Sequence, residues 1–115
     1  MAELIYQHID PIDKAEAVAE LDTGDSERII LALLRSAYHI GDWRWVQNIC
    51  LYSLSNPDPG VKRIAALCFS HIARIHGVLE TERVKPALDP LRDDPEIGEE
   101  VEEILEEIDW FLKEK

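Results

Sequence analysis

The sequence is poor in cationic residues, and this scarcity excludes several kinds of partner. Twelve lysine and arginine residues stand against 24 aspartate and glutamate residues among 115 positions, which gives a formal net charge of −12 at pH 7. A surface with this charge balance repels phosphate groups. We therefore expect neither nucleic acid nor an anionic membrane surface as a partner.

Long apolar runs and cysteines are scarce as well. No stretch approaches the roughly 20 apolar residues of a membrane-spanning helix. The N-terminus, MAELIYQHID, lacks a basic segment followed by an apolar one. Cys50 and Cys68 are the two cysteines, and both fall on apolar helical stripes, which predicts two reduced core residues. These features predict a single domain over residues 1–115 in the cytoplasm, with no membrane contact.

The residue types that build catalytic and metal sites are present but dispersed. The five glycines are scattered at predicted helix ends, so no phosphate-binding loop is formed. Cys68 and His71 lie three residues apart on a helix and could hold a metal ion, yet a structural zinc site takes four ligands. No C-x-x-C or H-E-x-x-H motif accompanies them. We predict no catalytic residue, no metal, no cofactor and no enzymatic activity.

Residues 56–77, NPDPGVKRIAALCFSHIARIHG, are the most distinctive stretch that is present. With Val61 as origin and about 100° per residue, the apolar residues within about 80° of it are Ile64, Ala65, Cys68, Phe69, Ile72 and Ile75. A helix that is apolar over so much of its surface must be covered on at least two sides. The stretch therefore predicts the central helix of an all-α fold.

A similar pattern recurs 36 residues later. The matched pairs are Asp58 and Asp94, Pro59 and Pro95, Val61 and Ile97, and Ala65 and Val101. Asp22 matches Asp58 one period earlier. A period of this length, with a helix-turn-helix in each copy, is typical of an α-solenoid.

The two later copies resemble HEAT repeats. The segments VQNICLYSLSNPDPGVKRIAALCFSHIA and VKPALDPLRDDPEIGEEVEEILEEI both carry a leucine-bearing helix and an Asp/Pro turn before a second helix. The basic residue after the valine is Lys62 in the first segment but Gly98 in the second, as in an atypical terminal repeat. The resemblance implies a short α-solenoid of roughly six helices in antiparallel pairs, with repeats at about 11–41, 42–77 and 78–113.

Capping residues and prolines predict the bounds of these helices. The predicted starts are Asp10 followed by Pro11, Asp25 or Ser26, and Asp42. The predicted ends are Leu21, Gly41 and Gly77. Two further helices are predicted over Glu80–Leu91 and Glu96–Leu112, and Pro86 should kink or restart the first of them. Met1–Ile9 is predicted to be an arm that packs on the first repeat.

The last predicted helix has an acidic face opposite its apolar one. From Asp93 onward, eleven acidic residues stand against two lysines, which accounts for nine of the twelve net negative charges. Trp110 falls on this acidic face, among Glu99, Glu103 and Glu106. Tryptophan is frequent among interface hot spots. We predict that these four residues bind a partner, with packing of Trp110 on an adjacent helix as the alternative.

The helix after Asp42 has two apolar stripes. One carries Trp43 and Cys50, and the nearly opposite one carries Trp45 and Tyr52, because a separation of two residues on a helix is about 200°. One stripe can face its own repeat. The other must face a neighbouring repeat or a partner, so Trp45 and Tyr52 are further candidate binding residues.

These observations predict a protein-binding module for a basic protein, acting as a monomer or weak dimer. The role we favour is an immunity protein, or antitoxin, that covers the basic groove of a nuclease-type toxin, where acidic residues would speed association. The alternatives are an adaptor subunit of a larger complex and a HEAT-like chromophore lyase-type factor. The short chain and the lack of a polar cavity-lining cluster argue against the lyase.

Overall fold

The computed structural model describes residues 9–113, and that part of the chain is helical without strands. It contains six α-helices and one 3₁₀ helix. They are α1 (Lys14–Leu21), α2 (Ser26–His39), α3 (Trp43–Ser53), α4 (Pro59–His76), α5 (Thr81–Leu88), the 3₁₀ helix (Asp89–Asp93) and α6 (Gly98–Lys113). The predicted all-α class with about six helices is confirmed.

Helix α4 lies at the centre of the packing. It contacts α2, α3 and α6, while α1 packs on α2, and the 3₁₀ helix packs on α6. Val61, Phe69 and Ile72 of α4 are fully buried, as the sequence predicts. Ile64 is only half-buried, and Ile75 is 40 % exposed in the last turn of α4, next to the point where the chain turns away at Gly77.

Three of the predicted caps, Asp25, Asp42 and Gly77, are confirmed, and Asp58 is a further cap that the sequence analysis did not name. Asp25 and Asp42 accept hydrogen bonds from backbone N–H groups in the first turns of α2 and α3. Asp58 accepts one from the N–H of Gly60 at 2.7 Å, and it also accepts the hydroxyl of Ser26. Gly77 ends α4 in the left-handed region, with φ 69°. The helical arrangement as a solenoid and the HEAT resemblance stay predictions.

The predicted start of α1 at Asp10 and Pro11 is wrong. The helix begins at Lys14, and the capping side chain is that of Asp13, which accepts from the N–H of Glu16 at 2.8 Å. The physical reason is Arg35 of α2. Its guanidinium donates to the carbonyl oxygens of Asp10 at 3.0 Å and Pro11 at 2.6 Å, so those carbonyls are held by a tertiary contact instead of a helical turn.

The predicted end of α2 at Gly41 is also wrong. The helix ends at His39 and is followed by Ile40 in an extended conformation, with φ −90° and ψ 120°. Ile40 is buried, so the chain leaves the helix early to place this side chain in the core. Within the described chain the glycines with positive φ are Gly24 and Gly77.

Pro86 does not interrupt its helix. It lies inside α5, which ends at Leu88 instead of Leu91, and the chain continues as the 3₁₀ helix. The next helix starts at Gly98 instead of Glu96. Just before it, the Asp94 carboxylate accepts hydrogen bonds from the backbone N–H groups of Glu96 and Ile97. A Cβ on Gly98 would lie 2.4 Å from the carbonyl oxygen of Arg92, so this close approach requires glycine.

The arm predicted over Met1–Ile9 lies almost entirely outside residues 9–113. Ile9 itself is buried, and His39 contacts its carbonyl oxygen through Nε2 at 2.8 Å. In the part of the chain that the structure describes, no helix is both long enough and apolar enough to cross a bilayer.

Candidate partner-binding surface

Helix α6 presents one face to the core and the other to solvent. Its apolar face packs on α4, and the buried residues along it are Ile97 just before the helix, Val101, Ile104 and Ile108. Because the helix is amphipathic, this docking fixes the orientation of the opposite face. The predicted acidic residues therefore point away from the core.

Four of the predicted binding residues form a single line on that exposed face. Glu99, Glu103, Glu106 and Trp110 are separated by four, three and four positions, so they fall on one side of the helix. All four are exposed, and Trp110 is 63 % exposed. At 1.5 Å per residue, the line is about 16 Å long. We call these four residues the outer stripe.

Other acidic residues of α6 are neutralised by cations from neighbouring elements. Glu100 pairs with Arg63 of α4 at 2.7 Å, and Glu102 pairs with Arg92 of the 3₁₀ helix at 3.0 Å. Asp109 pairs with Lys85 of α5. These three half-exposed ion pairs link α6 to its neighbours, and the charge of each acid is partly offset by its cation.

The glutamates of the outer stripe differ from these three acids. Within residues 9–113, Glu99, Glu103 and Glu106 make no ion pair and accept no hydrogen bond, whereas Glu107 beside them accepts the hydroxyl of Ser70 at 2.8 Å. Three carboxylates that have no cationic partner in the described part of the chain therefore share one helix face. The sequence placed them correctly, but it could not separate them from the paired acids of the same helix.

Trp110 lies at the C-terminal end of the outer stripe. It borders a shallow, open hollow whose other lining residues are Glu103, Glu106 and Glu107. An exposed indole ring beside several carboxylates offers an apolar face within a negative field. Such a ring attracts a cationic group through its π-electrons as well as through the neighbouring charges.

The structure places Trp45 and Tyr52 apart from the outer stripe. Trp45 is half-buried against the core, and the ammonium of Lys14 lies 5.5 Å from its ring centroid. Tyr52 is 76 % exposed and lines a hollow with Leu21, Pro57 and other residues near the ends of α1 and α3. The two aromatic residues therefore lie on the side of the molecule that α1 forms, and Tyr52 is the more accessible.

The His71 imidazole lies in a polar cluster that the sequence analysis did not identify. Its Nε2 is 3.5 Å from the Tyr38 hydroxyl, and its Nδ1 is 3.2 Å from the Arg74 guanidinium. Burial, followed by the nearby positive charge of Arg74, lowers the pKa of His71 to about 4. The ring is therefore neutral at pH 7. The 36-residue repeat in the sequence does not predict this environment, because Tyr38 lies 33 positions away from His71.

The cysteines are enclosed in the core. Cys50 and Cys68 are both fully buried, and the Cys68 thiol donates to the carbonyl oxygen of Leu33 at 3.6 Å. A hydrogen bond with Cys68, together with burial, raises the pKa of the Cys50 thiol well above its usual range. Because both side chains are fully buried, neither thiol is accessible as a nucleophile. Among residues 9–113, no three His, Cys, Asp or Glu side chains come together as metal ligands.

Comparison with known proteins adds no relative from which a role could be transferred. No protein-family model, no curated protein and no solved structure matches this chain.

Proposed function

We propose that this protein is a binding module for a basic protein, and that it binds through the outer stripe of α6. The observation that carries the proposal is the division of the acids on this helix. Glu100, Glu102 and Asp109 are paired internally, whereas Glu99, Glu103 and Glu106 have no ion-pair partner among residues 9–113 and are aligned with an exposed tryptophan. The carboxylates that are not paired within the described fold remain available to a basic partner.

The two kinds of residue in the outer stripe would contribute differently to binding. The carboxylates act at long range, so they accelerate the encounter with a basic surface and orient it, and salt weakens this effect. Trp110 acts at contact, where burial of its ring removes apolar surface from water. Tryptophan at the centre of an interface commonly contributes a hot-spot share of the affinity.

We further propose that the partner surface is one that itself binds phosphate, as the active-site groove of a nuclease-type toxin must. Such a groove is basic because it holds the nucleic-acid backbone, and an acidic helix face is complementary to it. In this role the protein would be an immunity protein. Co-expression tests this: the protein should relieve the toxicity of its partner, whereas an adaptor would only co-purify with it.

The binding surface can be tested with two triple variants that change the net charge equally. The first replaces Glu99, Glu103 and Glu106 by Gln, and it should slow association markedly at low salt. The matched control is Glu100→Gln, Glu102→Gln and Asp109→Asn, which removes the paired acids. The control should bind at nearly the normal rate but melt earlier. Equal slowing by both variants would mean that overall charge, and no particular face, governs binding.

Trp110→Ala provides the second arm of this test. Because the ring is mostly exposed, the variant should keep its fold while binding weakens by more than about 1 kcal/mol. Tyr52→Ala is the control, since it removes another exposed aromatic ring from a different face. Normal binding by Trp110→Ala with a much lower melting temperature would instead assign Trp110 to the packing of the fold.

A further inference from the structure

We infer that the occupant of the outer stripe is a basic helix laid alongside α6, with arginine or lysine side chains repeating at helical spacing. This inference rests on the proposed function, and it specifies that the part of the basic partner in contact with the outer stripe is a helix. Three properties of the stripe lead to it: the recognition modes that it excludes, its spacing and its charge.

The surroundings of the outer stripe disfavour the other common modes of peptide recognition. Residues 9–113 contain no strand, so this part of the chain has no sheet edge to which a peptide could add. The hollow beside Trp110 is lined by three glutamates, so it is not the apolar groove in which an amphipathic helix buries its face. A convex, charged helix surface remains.

The spacing of the outer stripe matches the seam between two helices. Separations that alternate between four and three residues are those of the a and d positions of a heptad, the pattern that keeps two helices in contact at a crossing angle of about 20°. The stripe extends about 16 Å, or about three turns. A second helix can therefore follow Glu99, Glu103, Glu106 and Trp110 side by side without bending.

Charge determines what this second helix carries. A second copy of α6 would set carboxylates against carboxylates, which is unfavourable. Lysine or arginine side chains opposite the glutamates neutralise them instead. Opposite Trp110 we expect arginine, because its planar guanidinium stacks on an aromatic ring while its N–H groups reach the neighbouring carboxylates of Glu103 and Glu106.

The test uses two synthetic peptides of identical composition, each of about 16 residues, with four arginines among alanine and glutamine. In the stripe peptide the arginines are separated by four, three and four residues, so they share one helix face. In the scrambled peptide they are distributed around the helix. Affinity for the full chain is measured by calorimetry at low ionic strength, and peptide helicity is measured by circular dichroism.

We expect the stripe peptide to bind about tenfold more tightly than the scrambled one and to gain helicity on binding, because a free helix of this length is marginal. Trp110→Ala and the Glu99, Glu103 and Glu106 triple variant should each reduce the preference between the two peptides. Glu100→Gln, Glu102→Gln and Asp109→Asn should leave it unchanged.

The possible failures are distinguishable. Equal binding of both peptides that still depends on the outer stripe would overturn the helical partner and leave the basic-partner proposal standing. Equal binding that none of the variants affects would overturn the outer stripe as the binding face. If neither peptide binds, both the helical partner and the basic-partner proposal are contradicted.

Discussion

Gln47 and Glu80 form a reciprocal pair that joins α3 to the start of α5. The Gln47 amide donates from Nε2 to the Glu80 carboxylate at 2.7 Å, and its Oε1 accepts the backbone N–H of Glu80 at 2.8 Å. Gln47 is fully buried. A single buried amide therefore satisfies both a side chain and a backbone donor 33 positions away in the sequence.

Loss of this amide should destabilise the protein. Gln47→Leu keeps much of the side-chain volume but leaves the partly buried Glu80 N–H without its acceptor, which should cost about 1 kcal/mol, the lower end of the range for an unsatisfied donor. Urea denaturation measures the loss. Asn48→Ala, at the exposed neighbouring position, removes only an exposed hydrogen bond from Arg83 at 2.9 Å, so this control should lose clearly less stability. Equal stabilities would show that Gln47 is replaceable by packing alone.

The core of α4 offers a matched pair of isoleucines. Ile72→Ala removes a fully buried side chain and should lower the free energy of unfolding by about 2–5 kcal/mol, because the cavity cannot collapse completely. Ile75→Ala removes the same atoms from a site that is 40 % exposed, so it should cost clearly less. Thermal melts of the two variants provide the comparison. If Ile72→Ala melts within a degree or two of the parent, α4 is not the central helix.

His71 should make stability depend on pH. Its pKa is lowered from 6.5 to about 4 in the folded protein, so the unfolded chain binds a proton first as the pH falls. The free energy of unfolding should therefore decrease between about pH 6.5 and pH 4, and this contribution should be constant above pH 6.5. His71→Gln should flatten the decline in that window, whereas His76→Gln should preserve it. A parent profile that is flat over this range would contradict the buried, neutral ring.

The two thiols should be inert in the native protein. Both are fully buried, so a thiol reagent should label Cys50 and Cys68 only as fast as the protein opens, and both should label rapidly in denaturant. A chelator should leave the melting temperature unchanged. Rapid native labelling of either cysteine, or zinc in the purified protein, would contradict this arrangement.

The glutamates of the outer stripe should slightly lower the stability of the free protein. Glu99 and Glu103 are four residues apart, Glu103 and Glu106 are three apart, and like charges at these separations repel. Replacing all three by Gln should therefore raise the melting temperature by about 1–3 °C, even though it weakens binding. A clear decrease in melting temperature would mean that these carboxylates make stabilising contacts.

The amphipathic pattern predicted the helices and the exposed face of α6 because burial follows the 3.6-residue period. It failed at Asp10 and Gly41, where local signals competed with distant residues. Arg35 holds the carbonyls after Ile9, and the core draws Ile40 out of the helix. Neither contact can be read from neighbouring positions in the sequence.

The candidate site was predictable in its position but not in its electrostatics. The sequence shows a helix with many glutamates, yet it does not show which of them meet a cation. Glu100 is paired with Arg63, 37 positions away, and Asp109 with Lys85, 24 positions away. Only the folded arrangement distinguishes these paired acids from those of the outer stripe, and the proposed binding surface rests on that distinction.

Gly98 bears on how the chain could be re-engineered. Averaging the internal copies into a consensus is a common route to greater stability, and it would introduce lysine here, after its counterpart Lys62. The lysine Cβ would collide with the carbonyl oxygen of Arg92 at 2.4 Å, which would push the 3₁₀ helix away from α6. Position 98, where the copies differ, is therefore one at which the fold requires glycine. A consensus sequence would lose this requirement and destabilise the contact between the 3₁₀ helix and α6.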